Sequence, residues 1–166
     1  MKRLITISLL ICTILTSYSQ TSLDYKVFEK INEYRVENGV TELEWCDKTY
    51  QASKHHTDYM VKNNIVSHRE DNETPHFVDR LVLYLQHDFK SGGENLTRVS
   101  INDIENSIDK IADRIVKSWQ DSKGHNIMML SKGNTIGSVS CGNGSIIKNG
   151  YELNVRYSTF VVWSIW

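Results

Sequence analysis

The chain has one proline, three cysteines and almost no net charge, and each scarcity closes off a class of protein. With Pro75 alone, and no internal repeat or low-complexity stretch, nothing in the chain resembles an interdomain linker. A formal net charge of −1, with no basic stripe or RNA-reading motif, gives no reason to expect nucleic acid as a partner. Long apolar runs are absent apart from Leu4 to Leu15. That run falls well short of the roughly 20 apolar residues that span a bilayer. It follows Lys2 and Arg3 and leads into small polar residues, Thr16 to Gln20. This is the layout of a secretory signal peptide over residues 1–20, with cleavage after Ser19. Ile11 before Cys12 argues against a lipoprotein signal. Residues 21–166 then form the predicted single domain, a secreted and monomeric chain with no transmembrane segment. Cys46 and Cys141 remain in it, an even count that permits one disulfide in an exported protein. Two small buried hydrophobes are the competing reading.

The apolar periodicity predicts helices first. Leu23, Val27, Phe28, Ile31 and Tyr34 share a face behind a Ser22 cap, and Asn38-Gly39 ends that helix. A second helix runs from Asp47 to about Lys62, with His56 packed inward and His55 at the surface. The polar loop Ser67–Pro75 carries His68, and Phe77, Leu81, Tyr84 and Leu85 mark a short third helix. Ile104, Ile108, Ile111, Ala112, Ile115, Val116 and Trp119 give the most strongly patterned helix of the chain. Beyond it Thr135–Cys141, Tyr151–Tyr157 and Phe160–Trp166 read as strands, with a turn at Gly142–Gly144. Helices followed by an antiparallel sheet imply an α+β fold.

Two chemically active side chains bracket the central helix. Glu94 follows Gly92-Gly93, and His125 follows Ser122-Lys123-Gly124. His68 lies upstream in its loop. Two imidazoles, one carboxylate and a water satisfy a tetrahedral zinc ion, and such an ion brings bound water to a pKa of about 7. The same three groups suit acid/base work without a metal. The bland alternatives are a carboxylate bonded to nearby backbone amides and a histidine holding a turn. Ser122 stands three residues before His125, but no G-x-S-x-G elbow surrounds it, and it reads as a cap for the helix that follows. Met128 and Met129 read as core packing.

His68, Gly93-Glu94-Asn95-Leu96 and Trp119-x-x-Ser122-x-Gly124-His125-Asn126 together resemble the CAP superfamily, the SCP/PR-1 or cysteine-rich secretory domain. Asn32, Arg35 and Leu43-Glu44-Trp45 fit the same pattern, and Arg80 falls where many bacterial members keep an arginine. The resemblance implies a three-layer α/β/α sandwich with a small antiparallel sheet. It also implies a cleft tetrad of two histidines and two acids, in which His68, Glu94 and His125 fill three places and Ser122 stands where the second acid would be. Three functions follow from it. One is a secreted module that binds a divalent metal such as Zn2+, or a small or lipid ligand, without turnover. The second is an extracellular metal-dependent hydrolase with His68, Glu94 and His125 as catalytic residues. The third is a signalling or structural protein recognised by a protein partner, with a vestigial pocket.

Overall fold

A computed structural model describes residues 21–101 and 107–165. The signal-peptide reading and Ile104 lie outside the described residues. Helix α1 (Ser22–Glu37) starts one residue earlier than the Ser22 cap predicts. Thr21 is the N-cap, its hydroxyl accepting from the Asp24 N–H while the Asp24 carboxylate accepts from the Thr21 N–H. This reciprocal arrangement satisfies two otherwise orphaned donors. Gly39 takes up the left-handed conformation after the helix (φ +69°). Strand β1 (Glu44–Trp45) leads into α2 (Asp47–Asn63), and α3 (Phe77–Leu85) follows the His68 loop.

Strand β2 (Ser91–Ser100) carries Glu94 and the two glycines before it. Its glycines serve close packing. A Cβ on Gly93 would lie 2.2 Å from the Met128 methyl, and one on Gly92 would lie 2.8 Å from the Val162 carbonyl oxygen. Helices α4 (Ile108–Gln120) and α5 (Lys123–Met129) come next, then β3 (Ile136–Lys148) and β4 (Tyr151–Ser164). The predicted turn at Gly142–Gly144 is instead the middle of β3. Gly142 lies under Thr57 and Val61, Gly144 lies against the Tyr157 ring, and the chain reverses at Asn149-Gly150, both at positive φ. The two predicted C-terminal strands are one.

The sheet order is β1-β3-β4-β2. The three long strands are antiparallel, and β1 adds to β3 in parallel. Alternate residues of a strand face opposite sides, so β4 sends Phe160 and Val162 one way and Val161 and Trp163 the other. The first side packs on α1, α4 and α5, around Ile31, Ile115, Trp119 and Met129, all fully buried. The second packs on α2 and α3, around Ala52, Leu81 and Leu85. The result is the three-layer α/β/α sandwich.

Two polar side chains of α1 tie the layers together. The Asn32 amide exchanges two hydrogen bonds with the Leu43 backbone, at 3.0 and 2.9 Å. Buried Arg35 donates to four carbonyls, those of Thr41, Met129, Ser131 and Asn134, and so fixes the loop between α5 and β3. Cys46 and Cys141 are free thiols, which corrects the disulfide expectation. Cys46 directly follows the β1 residue paired with Gly137, while Cys141 lies four positions further along β3. At about 3.3 Å per residue along a strand, that separation exceeds disulfide reach.

Candidate functional site

Strand β2 is an edge strand, and the site forms beside it. Glu94 points toward the α2/α3 layer, its carboxylate almost wholly buried. Asn95, the next residue, points the opposite way and donates to the His125 carbonyl at 2.8 Å. That bond, the Met128 methyl over Gly93, and a 3.1 Å bond from the Tyr34 hydroxyl to Asn126 seat α5 against the sheet. His68 approaches from the α2–α3 loop, so the three predicted residues come from a loop, a strand and a helix.

His68 and Glu94 meet directly, with His68 Nδ1 3.0 Å from Glu94 Oε1. A carboxylate accepts only, so Nδ1 carries the proton of a neutral His68 ring and Nε2 is left with its lone pair. The His68 side chain is 61% exposed, and Nδ1 is its anchored end. His125 joins them electrostatically. Burial pushes its imidazole pKa down, and the charge of a protonated His68 pushes it down further. Ser122 is the N-cap residue of α5 by position, but its hydroxyl makes no capping bond, contrary to its expected role.

The principal partner of Glu94 is Arg80. One guanidinium nitrogen, Nη2, straddles both carboxylate oxygens at 3.0 and 2.9 Å. Nη1 lies 3.4 Å from Glu70 Oε1. Glu70 is itself buried and has His56 Nδ1 at 2.6 Å, while His56 Nε2 lies 2.8 Å from the Ser67 carbonyl. Both His56 nitrogens thus face oxygen atoms that can accept. Burial pushes the His56 ring pKa down, against the charges of Glu94 and Glu70 that raise it. Arg80 lies within ion-pair distance of both buried carboxylates, Glu70 and Glu94. Burial alone would raise the Glu94 pKa. The hydrogen bond from His68, with the charges of His56 and Arg80, outweighs it and holds the carboxyl below the usual carboxylate range.

The expected metal set does not fit as a trio. Both Glu94 oxygens are engaged by Arg80, whose charge repels a cation at that spot, and among the described residues no cluster of three or more His, Cys, Asp or Glu could hold a metal ion. A groove of about 570 Å³ lies between α1 and α4, and its lining does not include His68, Glu94 or His125.

The sequence reading had His56 as core packing and assigned Glu70 no role. The spacing of His56, Ser67, Glu70 and Arg80 carries no recognisable motif. The one available signal was chemical, two acids and a histidine close in sequence to a helix that would bury an arginine.

The chain is thus an α/β/α sandwich with His68 bonded to a glutamate on the edge strand. Residues 28–151 match the cysteine-rich secretory protein (CAP) family, and the chain belongs to that family. A Bacillus subtilis (strain 168) protein, "Uncharacterized membrane protein YlbC", is 30% identical over 112 residues, covering 68% of this chain and 29% of that protein. The fold is also similar to an extracellular protein containing an SCP domain from Bacillus anthracis, with TM-score 0.61, 21% identity, and 86% of this chain against 40% of the other covered. An outer surface protein from Borrelia burgdorferi aligns with TM-score 0.58 and 17% identity, covering 88% of this chain and 97% of its own. The chain therefore spans less than half of the two Bacillus proteins and nearly all of the Borrelia one. Among the described residues no helix is long and apolar enough to cross a membrane.

Proposed function

We propose that this CAP-domain protein acts outside the cytoplasm as a binding module, and that the cleft between His68 and His125 holds a small ligand without turnover. One observation carries the reading: the Glu94 carboxylate is committed to Arg80 and His68. A general base works best with a pKa near the operating pH. Glu94 is held below even the ordinary carboxylate range, and both its oxygens already accept hydrogen bonds from within the protein. Ser122, at the place of a second acid, does not replace it. The extracytoplasmic setting is supported by the N-terminal signal pattern and by the extracellular and outer-surface relatives.

The groups offered to a ligand are the two imidazoles. A divalent ion held by His68 and His125 alone is a second reading, favoured by the Glu94 bond that leaves His68 Nε2 with its lone pair. Such a partner behind a histidine ligand fixes its tautomer and orientation. Calorimetric titration with zinc chloride tests it. One-site uptake lost in both His68→Ala and His125→Ala, and weakened about 10- to 100-fold in Glu94→Gln as for an outer partner, is expected. Equal uptake by the histidine variants rules out the metal. Digestion of fluorescent casein, with or without zinc, should give no Glu94-dependent rate. A rate that vanishes in Glu94→Gln overturns binding without turnover.

A further inference from the structure

A second cluster of reactive groups lies on the outer side of the α2/α3 layer, away from the His68–His125 cleft. A groove of about 250 Å³ there is lined by Gln51, Lys54, His55, Asp58 and Tyr84. His55 Nδ1 is 3.1 Å from the Tyr84 hydroxyl. The opposite ring nitrogen, Nε2, is 3.3 Å from Glu70 Oε2. Glu70 is fixed in turn by His56 on its other oxygen and by Asn72 on this one. A carboxylate accepts only, so the tautomer that turns an Nε2 proton toward Glu70 leaves a lone pair on Nδ1 for the hydrogen bond of the Tyr84 phenol. Carboxylate, imidazole and hydroxyl stand in the order that activates a nucleophile. The rings meet edge to face at 6.0 Å and 83°, held by two different helices.

We propose that Tyr84 is a nucleophilic phenol, with His55 as its base and Glu70 as the positioning residue, at a second site that accepts activated acyl groups. The Tyr84 oxygen attacks the acyl carbon, and an O–C bond forms as the bond to the leaving group breaks. The leaving group departs with that electron pair. The phenol proton passes to His55 Nδ1 and from there to the leaving group. The neighbouring Lys54 ammonium is paired with Asp58 at 2.7 Å and so does not displace the phenol as base partner. Nothing in this inference depends on what the His68–His125 cleft binds.

The test uses an aryl sulfonyl fluoride at pH 7, which reacts by the same attack at sulfur with loss of fluoride, and locates the label by peptide mass spectrometry. Tyr151, 75% exposed at the β3–β4 turn, is the internal reference for an ordinary phenol. Tyr84, only partly exposed, is expected to label at least tenfold faster than Tyr151, and the excess should disappear in His55→Gln. A burst of p-nitrophenolate from p-nitrophenyl acetate, absent in Tyr84→Phe, extends the result to acyl groups. Labelling that follows exposure, with Tyr151 ahead, overturns the proposal. So does a Tyr84 rate unchanged by His55→Gln. Should that variant fail to fold, the wild-type ratio of Tyr84 to Tyr151 decides alone.

Discussion

The two faces of one sheet are packed by different chemistry. Toward α1, α4 and α5 the strands present Val99, Val139, Phe160 and Val162 to a layer of aliphatic and aromatic side chains centred on Trp119. Toward α2 and α3 they present Ser138, Thr159 and Glu94 alongside Val161 and Trp163, and the helices answer with Thr49, Ser53, His56, Thr57 and Arg80. The polar groups of that layer are paired across it. The Ser53 and Ser138 hydroxyls are 2.8 Å apart, Thr57 donates to Thr159 at 2.9 Å, and Trp163 Nε1 donates to Thr49 at 2.8 Å. The apolar face is stabilised by area removed from water, which is non-directional. The polar face is stabilised by directional bonds, and it contributes little unless every partner is present. That is the face that holds Glu70, Glu94 and Arg80 in fixed positions.

The comparison breaks most sharply at Arg80. Arg80→Met leaves two buried carboxylates without their cation, and urea unfolding at pH 7 should show a loss of about 3–5 kcal/mol. On the apolar face Ile115→Ala should cost about 3 kcal/mol through lost contacts and the cavity left behind. Only the Arg80 cost should shrink in acid, where the carboxylates are protonated. Acid alone should also separate two buried carboxylates. The Glu94 pKa is lower folded than unfolded, so its stabilisation is complete above the ordinary carboxylate pKa and is lost as pH falls through the folded value. Asp24 runs the other way. Burial raises its pKa against the bonds from Thr21, Cys141 and Tyr50, so its contribution is greatest at low pH and fades as pH rises through the folded value. Unfolding followed from pH 7 to pH 3 should therefore lose stability in wild type with a slope that Glu94→Gln flattens and Asp24→Asn steepens. The smallest effect belongs to Ser53→Ala, about 1 kcal/mol, with the Ser53→Ala/Ser138→Ala pair costing less than the sum because both partners are then removed.

The same contrast explains what could be read from the sequence. The apolar face was legible because helix periodicity records burial directly, and Ile111, Ala112, Ile115, Val116 and Trp119 all point inward in α4. Family resemblance located His68, Glu94 and His125. It did not disclose that Glu94 lies on a strand, because Ser91–Ser100 is mostly polar or glycine and the residues that make it a strand belong to β4. The Gly142–Gly144 turn failed for a related reason. Glycine marks either a reversal or a close approach, and only the partners Thr57, Val61 and Tyr157 decide between them. The Arg80–Glu70–His56 cluster left no periodic trace, since its members are joined by tertiary contacts rather than spacing.

The proposed binding function requires that Glu94 hold the fold and perform no chemistry. Active-site residues are commonly kept at the expense of stability, so replacing one tends to leave a protein as stable or more so. Equilibrium urea unfolding of Glu94→Gln against wild type at pH 7 separates the two roles. The prediction is a loss of about 2–4 kcal/mol, since the carboxylate that accepts from Arg80 and His68 is replaced by a neutral amide whose NH2 faces their donors. A variant as stable as wild type, or more stable, would contradict it and return Glu94 to the role of a catalytic acid.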